Sequence, residues 1–499
     1  WDDLTFLPGT LTRFVIEGYR EKCLTKTVIG PKAKRPLELD IPIYITGMSF
    51  GALSLEAKSA LAKGASMAGT ATCSGEGGMI PPERDLSTRW FYQIIQSRYG
   101  FNPHHLMLAD AVEFFIGQGC KVGLGGHLMG QKVTEQVAEM RSLPVGIDQR
   151  SPARHPDWIG PDDLSLKIQE IREATNYQVP IQLKLGSARV YDDVRMAAKC
   201  GPDSIFLDGA EGGTGAGPHL ATEETGIPLM AAIPEARRAL EDVGLVDEVD
   251  LVVAGGIRNG GDVAKCLALG AKAVAIGTAA LMALNCNKHI EGVTDYEGTI
   301  GVPAGECYHC HTGRCPVGIA TQDVELRQRL DVDEAALRVY NYLHTLTMEV
   351  QLLARACGKT NIHSLEPEDL AALTMEASAM AMVPLAGTQQ FVLALLPILM
   401  SGLAFSLAYI AIPNTKVPIR HGLLGGLLAA VMFDLARRGM TLFVSMFPTY
   451  QLVYGAFAAV PIFLIWVLVS WNIMLLGAEF VQAMTNFKVN KQKSTSSMG

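Results

Sequence analysis

The sequence has no excess of positive charge: 42 Lys and Arg residues stand against 50 Asp and Glu residues, and the formal net charge is −8. A nucleic-acid-binding surface needs clustered Lys and Arg, so we expect no nucleic-acid partner. A secretory signal peptide is not recognisable either. The chain begins with Trp1 rather than Met, and we expect its true N-terminus to lie further upstream.

A regular cysteine pattern is missing from most of the chain. Ten cysteines are present, and the isolated ones are Cys23, Cys73, Cys120, Cys200, Cys266, Cys286 and Cys357. Secreted disulfide scaffolds place their cysteines at paired spacings. Isolated cysteines instead indicate reduced and mostly buried thiols, which are typical of a cytosolic protein.

Charged residues are absent from a long stretch near the C-terminus, since no Asp, Glu, Lys or Arg occurs between Gly439 and Ala478. Three apolar stretches lie in this part of the chain: Phe391–Ile412, His421–Ser445 and Tyr454–Ala478. Each is long enough to cross a bilayer as a helix, although the second contains Asp434, Arg437 and Arg438. We therefore predict an all-α transmembrane tail, with buried helices of a soluble domain as the alternative.

Basic residues beside these stretches predict their orientation. Lys416 and Arg420 lie between the first two stretches, and Lys488, Lys491 and Lys493 follow the third. The positive-inside rule places both segments in the cytoplasm. Three crossings would separate the C-terminal lysines from the N-terminal part of the chain, so we expect that one stretch, the charged second one, does not cross.

Short apolar runs that end in Gly or small polar residues recur before position 300, and most are followed by a helical pattern. The runs are Ile41–Thr46, Ile181–Leu185, Asp203–Leu207, Leu251–Ala254 and Ala273–Ile276. The helix-like stretches are Pro161–Thr175, Tyr191–Cys200, Ile233–Val243 and Gly261–Leu269. Buried parallel strands alternate with helices in this way. The pattern predicts an α/β fold, a (β/α)8 TIM barrel, with a doubly wound open sheet as the alternative.

Glycines follow two of the later predicted strands. Gly255-Gly256 ends one strand, and Gly277-Thr278 ends the next. In many barrels the loops after the last two strands bind a phosphate, because glycine lets backbone N–H groups approach it closely. These residues predict a phosphate site, and tight turns without a ligand are the alternative.

Lys184 lies inside an otherwise apolar predicted strand. A buried ammonium group needs an anionic or polar partner. The N1–C2=O edge of a flavin, which becomes anionic on reduction, would be such a partner. A structural salt bridge is the alternative.

Five glycine-containing motifs follow one another along the chain. They are Ser74-Gly75-Glu76-Gly77-Gly78, Gly119-Cys120-Lys121-Val122-Gly123-Leu124-Gly125-Gly126, Gly130-Gln131-Lys132-Val133-Thr134, Gly209-Ala210-Glu211-Gly212-Gly213-Thr214-Gly215-Ala216 and Cys315-Pro316-Val317-Gly318-Ile319-Ala320-Thr321-Gln322. In this order they resemble the FMN domain of glutamate synthase. Three further phrases resemble a stand-alone relative, the C subunit of N-methylglutamate synthase: Gly18-Tyr19-Arg20-Glu21-Lys22, Gly146-Ile147-Asp148-Gln149-Arg150 and Ala356-Cys357-Gly358-Lys359.

The resemblance implies a site for 2-oxoglutarate or 2-iminoglutarate over FMN, held by Glu76, Lys121 and Arg141. His127 stands where the family has Gln, and Leu124 stands where it has an acidic residue. We expect His127 to belong to the catalytic group. Two cations suit the two carboxylates of a C5 dicarboxylate, and Glu76 could relay a proton to the nitrogen.

Further residues at the predicted strand ends are expected to bind the cofactor. Met48, Ser49 and Gly51 follow the first run, and Gly213 lies in the fourth of the motifs above. Together with Lys184 and the two glycine-bearing loops, they make up the predicted FMN site.

A cysteine cluster lies just before the last motif. The resemblance implies a [3Fe–4S] cluster held by Cys310 and Cys315, with Cys307 in place of the family's first ligand. Three closely spaced thiolates followed by Pro suit iron–sulfur ligation. Because His309 and His311 lie between them, a zinc site is one alternative, and free thiols are another.

The tail resembles the last three spans of the YihY/BrkB inner-membrane family, which normally has six. The phrases that carry this resemblance are Ile412-Pro413-Asn414, Val417-Pro418, His421-Gly422-Leu423-Leu424-Gly425-Gly426, Tyr454-Gly455-Ala456 and Leu475-Leu476-Gly477-Ala478-Glu479. We therefore predict four segments. They are an N-terminal lead-in (1–40), the FMN-binding barrel (41–300), a Cys-rich segment with the last helices of the domain (301–387) and the membrane tail (388–499).

The resemblance implies an FMN-dependent oxidoreductase that makes glutamate, or makes N-methylglutamate by methylamine–glutamate N-methyltransferase activity. A glutaminase would use an N-terminal Cys, and the first cysteine here is Cys23. We expect ammonia or methylamine to come from solution or from a glutaminase-like partner subunit, and we expect other synthase subunits as further partners, while the sequence does not identify the electron donor. The catalytic domain is expected in the cytoplasm, tethered to the inner membrane. The alternative is a membrane-associated remnant with an inactive barrel and a tail that serves as an interaction module.

Overall fold

The structure is a computed structural model, and it describes residues 1–18, 20–215, 217–286, 307, 310–387, 389–413, 417–446 and 459–496. The chain divides into two compact units, Trp1–Pro384 and Leu385–Gly499. All the residues predicted to bind substrate, FMN or metal belong to the first unit.

Eight parallel strands form the centre of the first unit. They are β4 (Ile43–Ile45), β5 (Thr72–Cys73), β6 (Trp90–Ile94), β7 (Ala111–Phe115), β10 (Ile181–Gly186), β11 (Ser204–Asp208), β12 (Asp250–Ala254) and β13 (Ala273–Ile276). Their order in the sheet is β4-β13-β12-β11-β10-β7-β6-β5. The two end strands nearly close the barrel, since Ile45 N donates to Ala71 O at 3.0 Å. The predicted TIM barrel is confirmed, and the open-sheet alternative is wrong.

Smaller strands lie outside the barrel. β1 (Leu4–Phe6) pairs with β14 (Leu370–Ala372), β2 (Thr27–Ile29) pairs with β3 (Leu37–Leu39), and β8 (His127–Leu128) pairs with β9 (Gln149–Arg150), all antiparallel.

Helices alternate with the barrel strands. In the first unit they are α1 (Leu55–Met67), α2 (Pro81–Leu86), α3 (Pro103–Leu106), α4 (Glu135–Arg141), α5 (Pro161–Ala174), α6 (Val190–Lys199), α7 (His219–Glu224), α8 (Leu229–Asp242), α9 (Gly260–Leu269), α10 (Thr278–Ala283), α11 (Val324–Arg327), α12 (Val332–Ala356) and α13 (Met375–Ala381). Helix α9 shows how the sequence sets the ends. Asn259 caps it by accepting from Asp262 N, and Gly270 stops it at a φ of 116°, a conformation that glycine adopts easily.

The barrel interior has an aromatic layer and a polar layer. Tyr44 stacks on Phe91 with ring centroids 5.0 Å apart, and the edge of Phe206 lies 6.3 Å from Tyr44. Glu113 is fully buried among polar side chains, since Gln93 Nε2 donates to it at 2.6 Å and Gln182 Nε2 at 2.7 Å. Burial raises the pKa of Glu113. The interior is therefore filled, and a ligand has to bind at the strand ends.

A long excursion between β7 and β10 leaves the barrel. It contains the short β8–β9 pair, with His127 opposite Arg150 and Leu128 opposite Gln149, and it contains helix α4. Three residues of the predicted substrate site, Lys121, His127 and Arg141, belong to this excursion.

The second unit consists of α14 (Gln389–Ala411), α15 (Ile419–Met446) and α16 (Ala459–Ser496). Within it, Tyr409 OH donates to Met474 O at 2.8 Å, and Phe433 meets Trp466 edge to face at 5.1 Å. Among the described residues, two helical segments are long and apolar enough to cross a membrane, Ile419–Met440 and Phe463–Asn486. The apolar part of the first helix, Leu395–Ala411, is shorter.

This result differs from the predicted spans. We expected the charged second stretch to be the one that does not cross, yet that stretch is long and apolar enough to do so. Asp434 accepts from Arg437 Nη2 at 2.8 Å and from Arg438 Nε at 2.7 Å, so the charges of this stretch are paired within the helix. Part of the third predicted stretch, residues 454–458, lies outside the described residues.

Candidate active site at the carboxyl ends of the barrel strands

Glu76 lies in the loop that follows β5. Its carboxylate accepts a hydrogen bond from Ser151 Oγ, which lies 3.1 Å from Ser97 Oγ and can accept from it. A Cβ at position 126 would collide with Glu76 Oε2, so the backbone of Gly126 lies directly against the carboxylate. The predicted acidic residue is therefore in contact with the excursion that carries its predicted partners.

Arg141 is buried, with the same 2% exposure as Lys121. Its Nη2 donates to Phe50 O at 2.9 Å and to Glu76 O at 3.2 Å, and its Nη1 donates to Gln149 Oε1 at 3.1 Å. Burial lowers the pKa of Arg141, and the charge of Glu76 opposes this. The guanidinium is hydrogen-bonded to the loop after β4, the loop after β5 and strand β9. It therefore holds these three segments together and also supplies positive charge to the site.

Lys121 is buried beside the same carboxylate. Its Nζ donates to Gly125 O at 3.2 Å. Burial lowers the pKa of Lys121, and the nearby charge of Glu76 raises it in part. The structure therefore brings Glu76, Lys121 and Arg141 together as one acid and two cations.

The two positions that differ from the family pattern lie nearer to solvent. His127 Nε2 lies 3.8 Å from Asp148 Oδ2, and 30% of the His127 side chain is exposed. Leu124 is also exposed. Both residues lie at the edge of the Glu76–Lys121–Arg141 group rather than inside it.

Lys184 is buried at the end of β10 and has several partners. Its Nζ donates to Thr46 Oγ1 at 3.1 Å, lies 3.5 Å from Asp208 Oδ2 and stands 4.2 Å from the ring centroid of Phe206. Burial alone would lower the pKa of Lys184, but Asp208 and Glu113 raise it above its ordinary value. The salt bridge of the alternative interpretation is present, and it keeps the ammonium charged at the strand ends.

The predicted phosphate loops meet at the neighbouring strand ends. Gly255 and Gly256 have φ values of 123° and 67°. A Cβ on Gly213 would approach Thr278 Oγ1 at 2.6 Å, and one on Gly277 would approach Thr46 Cγ2 at 3.2 Å. Among the described residues, no acceptor is bonded to the main-chain N–H of Gly256 or Gly277. Free N–H groups on small residues are what a phosphate cradle needs.

The loop after β4 is held by a buried lysine that the sequence analysis did not identify. Lys58 Nζ donates to Met48 O at 2.6 Å and to Ser74 O at 3.1 Å, and it lies 2.6 Å from Glu83 Oε1. Burial raises the pKa of Glu83 to about 7, and Lys58 opposes this. Lys58 therefore fixes the loop of Met48 and Ser49 against the loop of Glu76. The signal that could have identified Lys58 is its position in α1, a helix whose residues are largely buried.

The loop of Met48 and Ser49 also passes close to Gly75. A Cβ on Gly75 would lie 2.5 Å from Ser49 N and 2.8 Å from Met48 N. Gly51, at a φ of 104°, lies against Arg141, because a Cβ there would be 3.3 Å from Arg141 Nη2. The loop after β4 thus contacts the Glu76 loop at one end and Arg141 at the other.

A fourth thiol, that of Cys286, lies near the three cysteines of the motif. Burial, followed by the charges of Cys315, Cys310 and Cys307, raises the pKa of Cys286 to about 12. Cys286 was treated as isolated in the sequence, and only the fold brings it near the others. Within the described part of the chain, no group of His, Cys, Asp or Glu has the arrangement of a metal site. Residues 287–306, 308 and 309, which include the alternative ligand His309, lie outside that part.

Two family profiles match the chain. One is described as a conserved region in glutamate synthase and matches residues 16–360; the other is described as virulence factor BrkB and matches residues 364–498.

Individual relatives cover the first unit. A glutamate synthase large subunit-like protein of Rhizobium meliloti is 54% identical over 393 residues, which cover 78% of this chain and 88% of that protein. An archaeal-type NADPH glutamate synthase of Thermotoga neapolitana is 40% identical over 343 residues, which cover 68% of this chain and 63% of that protein. The chain thus spans less than two thirds of the second relative. A solved mutant of flavocytochrome b2 with benzoylformate is 16% identical at a TM-score of 0.47, covering 78% of this chain and 81% of that one.

Proposed function

Because the chain belongs to the glutamate synthase family, we propose that its barrel binds FMN and reduces the imine of 2-oxoglutarate to glutamate. The observation that carries the proposal is the convergence of Glu76, Lys121 and Arg141 at the carboxyl ends of the barrel strands. Catalytic residues of TIM barrels lie at these ends.

The residues at the strand ends fit FMN. The free N–H groups of Gly256 and Gly277 are suited to its phosphate, together with the Thr278 hydroxyl beside Gly213. Lys184 carries a buried charge that suits the N1–C2=O edge of the flavin. Met48, Ser49 and Gly51 would line the cofactor from the β4 side. When bound, FMN supplies the hydride that the imine carbon accepts.

We assign different roles toward the substrate to the acid, Glu76, and to the two cations, Lys121 and Arg141. Lys121 and Arg141 are placed to pair with the two carboxylates of a C5 dicarboxylate, which fixes the carbon between them. Glu76 would hold the proton of the imine nitrogen. His127, at the exposed edge and 3.8 Å from Asp148, would close the site from the solvent side.

The nitrogen source and the electron donor lie outside this chain. We propose that ammonia comes from solution or from a glutaminase-like partner, and that a second synthase subunit delivers electrons. The name of the Rhizobium relative, glutamate synthase large subunit-like protein, supports a multi-subunit enzyme. Methylamine is the second candidate, which the phrases resembling N-methylglutamate synthase favour, and it would give N-methylglutamate.

We also propose that Cys307, Cys310 and Cys315 hold a [3Fe–4S] cluster, although the described residues do not themselves form a metal site. Burial raises the pKa of Cys310, and the nearby charges of Cys315 and Cys307 raise it further; this proximity of the three residues supports the proposal. Iron analysis of anaerobically purified protein tests it, since a preparation with bound FMN and no iron would refute the cluster.

Replacement of Lys121 by Met tests the substrate site. Loss of one buried cation should weaken 2-oxoglutarate binding by about 2–5 kcal/mol, as for truncation of a buried charge pair. FMN content should not change, because the Lys121 ammonium donates to Gly125 O and not to a residue assigned to FMN. Binding is measured by titration of the flavin spectrum with 2-oxoglutarate.

The matched control is Lys199→Met, which removes an exposed lysine of α6. It should bind 2-oxoglutarate as the wild type does. Equal binding by wild type and Lys121→Met would refute the assignment of Lys121. A colourless wild-type protein of correct mass would instead favour the second class of function, an inactive barrel on a membrane-associated chain.

A further inference from the structure

Gln149 in strand β9 is a buried polar side chain with only half of its amide satisfied. Its exposure is 5%, and its Oε1 accepts from Arg141 Nη1 at 3.1 Å. In the described part of the chain, the Nε2 group has no acceptor. A buried donor without a partner costs folding free energy, so such groups are rare unless a ligand completes them.

The orientation of this amide is determined by its neighbour. A guanidinium has only donors, so the carbonyl oxygen of Gln149 has to face Arg141. The NH2 group therefore faces away from Arg141. Rotation of the Gln149 amide by half a turn would place its NH2 donor against the guanidinium, which is also a donor, so this exchange is unfavourable. Arg141 thus fixes the orientation of the Gln149 amide, and the two N–H bonds of Gln149 Nε2 remain available to a ligand.

The free NH2 group lies on the face of β9 that meets the acid. Side chains two residues apart in an extended segment share a face, and the pairing continues beyond β9 because Ser151 N donates to Gly126 O at 2.9 Å. Ser151 contacts the Glu76 carboxylate, whereas Arg150 between them is exposed. Gln149 and Ser151 therefore share the face directed at Glu76.

A second donor without a partner lies beside the first. Arg141 Nε has no acceptor among the described residues, and it borders Gly77, where a Cβ would approach it at 2.6 Å. Buried donors beside two cations call for a ligand that only accepts hydrogen bonds and carries negative charge. A carboxylate has both properties.

We propose that Gln149 donates a hydrogen bond to one carboxylate of the C5 dicarboxylate substrate and so contributes to its selection. The inference rests on the proposed function, since it takes 2-oxoglutarate as the ligand of the same site.

Two substitutions separate this role from a purely structural one. Gln149→Glu keeps an oxygen facing Arg141 but loses both donors, and Gln149→Met loses the amide without adding charge. The FMN-loaded proteins are titrated with 2-oxoglutarate, by the flavin difference spectrum and by calorimetry. Gln178→Glu and Gln178→Met make the same changes at an exposed glutamine, and thermal unfolding with FMN content reports on folding.

We expect both Gln149 variants to bind 2-oxoglutarate about 10- to 100-fold more weakly at unchanged FMN content, as for loss of a hydrogen bond to a charged group. Wild-type affinity in Gln149→Glu would mean that only the bond to Arg141 matters, and wild-type affinity in Gln149→Met would mean that the amide does not contact the substrate. Either result overturns the inference. If the wild-type holoprotein does not bind 2-oxoglutarate at all, the proposed function is wrong. This outcome differs from a failure of the inference about Gln149, in which the wild type binds and the variants bind equally well.

Discussion

Lys184 shares its buried surroundings with two carboxylates, Asp208 and Glu113, and these neighbours keep it charged. Its pKa is raised above the ordinary value although burial alone would lower it. A cation held in this way can stabilise negative charge that develops on a flavin. The residue therefore has a structural role, and we propose that it also acts on the cofactor, so that a single substitution would disturb both.

Lys184→Met is expected to reduce FMN occupancy and to lower the flavin reduction potential. It also leaves Asp208 and Glu113 without their cation, which should reduce the free energy of unfolding by about 3–5 kcal/mol. Chemical denaturation and a redox titration measure the two effects. The double variant Lys184→Met with Asp208→Asn should recover part of the stability but not the potential. Full recovery of the potential would show that Lys184 is only a structural partner of Asp208.

Motifs drew attention to Glu76, Lys121 and Arg141, which the structure brings close together, and their role in substrate binding stays a prediction. Lys184 was noticed because a charge interrupts an apolar run. Gln149, Lys58 and Cys286 were not identified. Their significance depends on partners in other helices, strands or loops, and no local pattern encodes such partners.

The loops after β4 and β5 act as one element because Lys58 and Glu83 tie them to helix α2. The pair is fully buried, and Lys58 also donates to the main-chain oxygens of Met48, Cys73 and Ser74. Burial raises the pKa of Glu83 to about 7 from its ordinary value of 4.5. The folded protein therefore binds a proton at Glu83 more tightly than the unfolded chain does.

This difference predicts the pH dependence of stability. A carboxyl group with a raised pKa in the folded state contributes stability that is fully present below pH 4.5 and is lost as the pH rises through about 7. Glu83→Gln should remove this contribution, so the difference in unfolding free energy between wild type and variant should change by about 3 kcal/mol across that window. Denaturation at a series of pH values measures it. Parallel pH profiles for the two proteins would contradict the raised pKa.

The turn after β12, which we propose as part of the FMN site, depends on glycine, since Gly255 has a φ of 123° and lies against Gly209. Gly255→Ala places a Cβ 3.0 Å from the backbone of Gly209, which should displace the loop and reduce FMN binding by at least about tenfold. Gly160→Ala is the control, because a Cβ there meets nothing within 4 Å. FMN release on heating, measured by fluorescence, gives the occupancy. Wild-type occupancy in Gly255→Ala would remove this turn from the cofactor site.

The later strands of the barrel were predicted from sequence, but β5, β6 and β7 were not. β5 is only two residues long. Strands β6 and β7 contain Gln93 and Glu113, which interrupt the apolar pattern although both point into the barrel, where they bond to each other. In a linear sequence, polar residues that line the inside of a barrel cannot be distinguished from polar residues on the protein surface. The closure of the sheet, not the pattern of one strand, makes it interior.

We propose that two segments of the tail cross the membrane, Ile419–Met440 and Phe463–Asn486, because three crossings would separate the barrel from Lys488, Lys491 and Lys493. With two crossings, the positive-inside rule predicts that the barrel lies in the cytoplasm. The match of residues 364–498 to the BrkB profile supports a membrane location.

This topology predicts the outcome of protease treatment. Trypsin added to intact spheroplasts should leave the barrel unit uncut, and trypsin added after lysis should cleave it, as followed with an antibody against the barrel. The protein should sediment with membranes and resist extraction by high salt. Digestion of the barrel from outside intact spheroplasts would refute the cytoplasmic placement.

The flavin half-reaction with 2-oxoglutarate tests the proposed chemistry of the whole molecule most directly. The full chain is loaded with FMN, reduced anaerobically and mixed with 2-oxoglutarate and ammonium, with methylamine in a parallel sample. We predict reoxidation of the flavin only when both the oxo acid and an amine are present, with one glutamate, or one N-methylglutamate, formed per flavin. Bound FMN that stays reduced in every mixture would contradict a glutamate synthase-type reaction at this site.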